Sequence, residues 1–277
     1  MPEGDSIHRI ARALDRDLVG KTLDRVETHD QGVIREFAGR KMAAATAHGK
    51  HLVIEFEGDW SLRVHLGMHG RWRRFAAPSA VPPNHTALLV AGGFAWACHR
   101  AYGAELVRTN ALRTHPRLSR LGPDLLAPEP DFDAMIARAE IPAHGNREIA
   151  EILLDQRIAS GMGNVYKSEV LFAERVHPRT LVRDVDTTTL RSLFTTAARL
   201  MRRNLLTRRR ESVPLRRRPE PNSARLHVYG RAGKPCLECG SRIVRVVQGD
   251  MARSTYFCPA CQGIRATAET PRNDSQV

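Results

Sequence analysis

The sequence predicts a multidomain α+β protein: a β-sandwich or barrel led by one helix, then a helical domain, then a small metal-pinned module. Three observations carry this. Six short apolar runs separated by Gly, Pro and Asn fill the N-terminal part. The apolar period then becomes helical. Four cysteines finally close together near the C-terminus. A length of 277 residues accommodates two or three small cores.

The leading helix is expected over residues 6–18, where Ile7, Ile10, Leu14 and Leu18 share one face. Asp5 or Ser6 is the expected cap and Gly20 the stop. Strands follow at residues 22–28, 52–57, 62–66, 71–75, 87–90 and 105–108, making an N-terminal domain of residues 1–122. Residues 113–130 carry four prolines and a glycine and predict an interdomain linker. Helices are expected at 132–139, 147–154, 165–175 and 188–204, in a domain of residues 123–225. An arginine-dense block at 202–218 is either a solvated loop or a partial phosphate contact. Residues 226–263 form the cysteine module, and 264–277 a disordered tail.

Hydrophobic content of 42% excludes a disordered basic tail, and 43 Lys+Arg against 30 Asp+Glu give a formal charge of +13. That excess suits a polyanion, because each neutralised phosphate releases condensed counterions. An anionic membrane is the competing partner, but no apolar run reaches the roughly 18 residues of a spanning helix. With no secretory or lipidation signature, a soluble intracellular protein is expected.

Cys236, Cys239, Cys258 and Cys261 form two C-x2-C knuckles, with strands expected at 243–247 and 255–257 between them. Two knuckles on hairpins supply four soft ligands to one tetrahedral zinc ion. Four cysteines leave no open position, so the zinc is structural; two disulfides or spare thiols are the weaker alternative in a reducing compartment. Cys98 lies in a strand-like apolar run and reads as a buried small hydrophobe.

Met1 precedes Pro2, a small residue after which initiator methionine is commonly removed. An α-amine titrates at roughly 8, against about 10.4 for lysine, so more of it is unprotonated. Such an amine attacks a sugar C1′ and leaves a cationic iminium that acts as an electron sink. Glu3 is adjacent and suited to proton transfer at the sugar. On residue chemistry alone, proline at position 2 is usually an accident of translation.

Six segments change that weighting: MPEGDSIHR at the start, HGKHL at 48–52, HLGM at 65–68, GMGNVYKSE at 161–169, VYGRAGKPC at 228–236 and RSTYFCPACQ at 253–262. Together they resemble the formamidopyrimidine-DNA glycosylase/endonuclease VIII family, in order and across essentially the whole chain. The resemblance implies a two-sheet β-sandwich with a leading helix, a helix–two-turn–helix domain and a zinc finger.

It further implies a DNA glycosylase of base excision repair that also cleaves the strand as an abasic-site lyase. Pro2 would be the Schiff-base nucleophile, Glu3 the acid/base, and Lys50 the hairpin lysine that assists elimination and contacts phosphate. Asn164, with Gly161 and Gly163 admitting backbone amides, would bind the phosphate flanking the lesion. Arg253 would grip phosphate and support the second elimination. Met68, Arg100 and Tyr102 match residues that fill the hole left by an extruded base. Without the resemblance, Lys50 is by default an exposed strand lysine and Met68 core packing.

Gly4-Asp5 after Pro2-Glu3, and Asp155-Gln156 before the GMGN segment, lean to the endonuclease VIII branch; HLGM and the Arg100–Tyr102 loop lean to the other. Oxidised pyrimidines and abasic sites are therefore the expected substrates, with oxidised purines as the alternative. The expected partner is damaged double-stranded DNA, met by a monomer in a bacterial cytoplasm at the nucleoid. Zinc is the one cofactor expected. A non-catalytic zinc-ribbon DNA-binding protein is the alternative from another class.

Overall fold

The computed structural model describes residues 2–29, 32–206, 210–212, 225–250 and 252–263. The tail expected from residue 264 and most of the arginine-dense block lie outside these residues.

The leading helix is α1 (Gly4–Leu18). It starts two residues before the expected point. Neither Asp5 nor Ser6 caps it: the cap position is Glu3, whose side chain makes no cap hydrogen bond to α1. Gly20 ends the helix with φ +77°, a left-handed conformation that costs glycine little.

Among the described residues nine strands follow. They are β1 (Arg25–Thr28), β2 (Gly32–Val33), β3 (Met42–His48), β4 (His51–Phe56), β5 (Trp60–His65), β6 (Arg71–Phe75), β7 (His85–Ala91), β8 (Phe94–His99) and β9 (Gly103–Arg108). They make two antiparallel sheets, ordered β2-β1-β7-β8-β6 and β3-β4-β5-β9. Strand periodicity places Leu52, Ile54, Leu62 and Val64 of one sheet against Leu89, Trp96 and Cys98 of the other. Ile7, Leu14 and Leu18 of α1 join the same core. Burial pushes the Cys98 thiol up to about 12, in keeping with a packing role.

Three strands are absent from the sequence reading, the first being β2, whose two residues are too few for a period to show. β3 reads MAAATAH, where alanine has little strand preference and no apolar alternation. β8 is apolar on consecutive residues because Ala95 and Ala97 pack on a second small cluster with Leu88 and Val90.

The helical part comprises α2 (Phe132–Ala139), α3 (Ile149–Ile152), α4 (Asn164–Ala173) and α5 (Thr187–Leu205). Asp131 and Asp186 cap α2 and α5 by accepting from the amides of Ala134 and Thr189. The helix expected at 147–154 is a single turn, α3, closed by a reciprocal Glu148/Glu151 capping box. Gln156 then holds two turns together. Its Nε2 donates to Leu154 O (2.8 Å) and Met162 O (3.0 Å), and its Oε1 accepts from Gly161 N (3.0 Å). The segment read as a linker is no free tether: Leu125 and Leu126 are buried in the helical core.

The last unit is the hairpin β10 (Val244–Gln248) and β11 (Arg253–Phe257). Val228, Ile243, Cys236 and Cys258 pack with Phe172 of α4. Buried Glu169, also on α4, accepts from the amides of His227, Val228 and Tyr229 at 2.7–2.9 Å. Among the described residues no helix is long and apolar enough to cross a membrane.

Candidate active site

Pro2, Glu3, Lys50, Leu154, Gly163, Asn164 and Arg253 line one cleft of about 80 Å³. Its walls come from the start of α1, the β3–β4 turn, the turns after α3, the N-terminus of α4 and the first residue of β11. Six residues singled out by chemistry or motif, spread over the whole chain, therefore meet at one place. Leu154 was not foreseen; an apolar residue closing α3 carries no chemical signal.

Glu3 is wholly buried, and its carboxylate accepts from Gly163 N (3.0 Å) and Val165 N (2.9 Å). It leaves α1 uncapped because it serves the N-terminus of α4, where unpaired amides and the helix dipole favour an anion. Gly4 N donates to Gly161 O at 2.9 Å, tying the chain just after Pro2 to the same turn. Gly163 is required by space. A Cβ there would lie 2.4 Å from Glu3 Cδ, although the backbone at φ −128° suits any residue. Gly161, at φ +105°, is required by conformation.

Lys50 sits in the turn between β3 and β4 and is half-buried, not the exposed strand lysine of the default reading. Its hairpin is anchored by Asp124, which accepts from Gly49 N (2.7 Å) and His8 Nε2 (3.2 Å) through Oδ2, and from Leu126 N (2.8 Å) through Oδ1. Burial alone would raise the Asp124 carboxyl, but the His8 contact and the two amides outweigh it and hold it low. Burial pulls Lys50 down to about 8; Glu3 opposes this, and the cations Arg253 and Arg210 add to it.

Asn164 Nδ2 donates to Ser254 O (2.6 Å), so the first residue of α4 is bonded beside Arg253. Arg253 Nη1 reaches Met68 Sδ at 3.6 Å. Met68 is 52% exposed, which sets aside core packing for it. Gly67 holds φ +62°, and a Cβ on it would be 2.9 Å from Tyr102 Cβ, so the Met68 and Tyr102 loops lie against each other. Tyr102 is 71% exposed and presents its ring edge-on to His65. Arg100 is exposed and left-handed, at φ +55°. Two of the three expected void-fillers thus stand side by side, with the third two residues away.

Arg210 answers to neither reading of the arginine-dense block. It is largely buried, with Nε donating to both Asp5 carboxylate oxygens at 3.1 Å and Nη2 to Oδ1 at 2.7 Å. It lies 4.0 Å from Glu3 Oε1 and over the Tyr166 ring. No local pattern separates it from its neighbouring arginines, since its partners are some two hundred positions away.

The four knuckle cysteines bring their sulfurs within 4.8 Å of one another, with Cys236–Cys261 at 3.9 Å and Cys239–Cys258 at 3.4 Å. A tetrahedral zinc with Zn–S near 2.3 Å requires sulfurs about 3.8 Å apart. The donor set therefore fits one structural zinc ion, held by those four residues, beneath the hairpin that carries Arg253.

Residues 1–99 match the formamidopyrimidine-DNA glycosylase N-terminal domain, residues 121–212 the H2TH domain of the same glycosylase, and residues 233–263 a zinc finger found in FPG and IleRS. A probable endonuclease 8 2 of Streptomyces coelicolor is 37% identical over 95% of this chain and 94% of its own length. The formamidopyrimidine-DNA glycosylase of Moorella thermoacetica is 36% identical over 89% and 94%. The DNA-(apurinic or apyrimidinic site) lyase Nei2 of Mycolicibacterium smegmatis is 34% identical over 95% and 99%. In fold, the chain superposes on Lactococcus lactis Fpg bound to abasic-site DNA with a TM-score of 0.79, at 21% identity, covering 94% of this chain and 99% of that one.

Proposed function

Since the chain belongs to the formamidopyrimidine-DNA glycosylase/endonuclease VIII family, we propose that it is a bifunctional DNA glycosylase and abasic-site lyase of base excision repair. It removes oxidised bases, pyrimidines above purines, from double-stranded DNA and then cuts the strand. The observation that carries this is the convergence of Pro2, Glu3, Lys50, Asn164 and Arg253 on one cleft.

In this reading the Pro2 nitrogen, freed of Met1, attacks C1′ of the lesion nucleotide. The base leaves with the electrons of the glycosidic bond and a proton; the sugar ring then opens as the C1′–O4′ bond breaks and O4′ takes a proton, and an iminium joins protein to sugar. Glu3 faces this centre as its acid/base. A base removes the 2′ proton, the C–H electrons pass into the iminium, and the resulting enamine expels the 3′ phosphate; removal of the 4′ proton then expels the 5′ phosphate. Lys50 assists the eliminations and contacts phosphate. Asn164, Gly161, Gly163 and Arg253 hold the phosphate at the lesion, and Met68, Arg100 and Tyr102 fill the vacated stack. Zinc supplies no chemistry here; it fixes the fold of the hairpin bearing Arg253. The enzyme acts as a monomer in the bacterial cytoplasm, at the nucleoid. Its zones are the sandwich of residues 1–122, the helical domain of 123–225 and the zinc module of 226–263.

A preference for oxidised purines has its own support in HLGM and in the similarity to the Moorella thermoacetica glycosylase. A purely DNA-binding protein has less, because it has no need of an amine and a carboxylate in one cleft. Borohydride treatment of the enzyme with lesion-bearing duplex is the test. A covalent adduct is expected, and lost in any chain extended ahead of Pro2, where that nitrogen is an amide. Binding without cleavage or adduct would leave the binder, and an adduct surviving in the extended chain would remove Pro2 from its role.

A further inference from the structure

Lys167 lies on the second turn of α4 and is 1% exposed, among the largest fully buried side chains of the protein. Burying an ammonium is expensive unless something compensates. None of the ion pairs formed among the described residues includes it. Its Nζ instead donates to Ser254 O (3.2 Å) and Thr255 Oγ1 (2.7 Å), the two residues after Arg253 on β11.

Ser254 O is also the acceptor of Asn164 Nδ2 at 2.6 Å. Asn164 and Lys167 are three residues apart, hence on one helix face. That face donates twice to one carbonyl of the hairpin. Arg253 needs the grip, because among the described residues its side chain makes one hydrogen bond, to the thioether of Met68. Its backbone pairs with Gln248 of β10, and the two residues after it carry the grip from α4.

Lys167 also lines, with Arg253, Arg147 and Arg157, a cavity of about 320 Å³ adjoining the catalytic cleft; Leu154 and Arg253 border both. Burial pulls its ammonium down to about 7, Glu3 opposing and Arg253 reinforcing the shift, so its charge is felt at both residues. A structural tie alone would be met by glutamine or a packed apolar chain. An ammonium at this depth contributes charge beside the place where a phosphate is to be held.

Resting on the reading that Arg253 serves the second elimination, we propose that Lys167 is a positioning residue: it sets Arg253 against Asn164 and thereby controls departure of the second phosphate. In Lys167→Met, the ratio of doubly to singly eliminated product on abasic duplex is expected to fall roughly tenfold or more, well beyond any fall in borohydride-trapped adduct. Lys167→Arg, which keeps a buried cation and donors, should recover part of that ratio. Thr255→Val, which removes one acceptor without touching Lys167, should shift it the same way by less. Zinc content and thermal unfolding of each variant separate these effects from a melted module. An unchanged product ratio in Lys167→Met, or adduct and both products falling in parallel, overturns the proposal. A wild-type enzyme that forms no adduct removes the reading beneath it, and the role of Lys167 with it.

Discussion

Arg253 and Met68 touch: Nη1 of one lies 3.6 Å from the sulfur of the other, across 185 positions of sequence. One belongs to the zinc hairpin and lines the cleft that holds Pro2, the other to the loop after β5, so the contact joins the C-terminal hairpin to the N-terminal sheets beside that cleft.

Met68→Ala separates the two tasks of that contact. If Met68 fills the gap left by an extruded base, its loss penalises lesions whose base must be unstacked, a cost of a few kcal/mol. Excision of an oxidised base is then expected to fall by roughly tenfold or more while cleavage of a preformed abasic site falls less. Equal losses on the two substrates would assign Met68 to the contact with Arg253 alone.

Gly163→Ala tests the pairing of Glu3 with α4. The new Cβ would lie 2.4 Å from Glu3 Cδ, so the carboxylate must leave the amides of Gly163 and Val165. A charge-assisted hydrogen bond contributes about 1.5–3 kcal/mol, so a loss of activity of roughly a hundredfold is expected. Adding Gly163→Ala to Glu3→Ala should cost little further stability, because the obstructing atoms are gone. A full extra penalty in the double variant would place the strain elsewhere.

Zinc removal should act at a distance. The metal ties Cys236 and Cys239 to Cys258 and Cys261, and β11 runs from Arg253 to Phe257 directly into the second knuckle. One zinc per chain is expected. Chelation, or Cys239→Ser, should abolish stable binding to abasic duplex while leaving the β-sandwich signal in circular dichroism. Intact affinity without metal would refute a structural role.

Lys50 gives a pH signature. Its amine titrates at about 8 in the folded DNA-free chain, against the ordinary 10.5. Between those values the unfolded chain binds more protons than the folded one, so this group makes stability rise with pH. Below the folded value its cost is present in full. From about pH 7 to about pH 10 the melting temperature of wild type should gain on that of Lys50→Met by roughly a few degrees. A constant difference across that range would mean that Lys50 is not desolvated.

The parts of the molecule that sequence exposes are those with a local signature. Ile7, Leu14 and Leu18 mark α1 by spacing, Phe132–Ala139 matches its helix end to end, and the knuckles announce the metal. β3 has no sequence signal because alanine patterns as neither strand nor core edge, and α3 is shorter than its apolar pattern because the chain leaves the helix at Leu153. Lys50 and Arg253 were recognisable by motif, not by composition. Asp124, Lys167 and Arg210 were invisible as site residues, since each acquires its meaning from a partner on another element. Long-range electrostatics has no short-range period.

The fastening of the first residues has a consequence for how much working enzyme a cell contains. The bonds of Glu3 and Gly4 to the turn at α4 do not use the Pro2 nitrogen, so under the proposed function a copy that keeps Met1 would still fold and engage DNA. An amine still joined to methionine is an amide, and an amide nitrogen does not attack carbon. Such copies would occupy lesions without resolving them, shielding damage from their trimmed siblings. Dosage of repair is then governed by the ratio of trimmed to untrimmed chains, and total abundance is a poor measure of it.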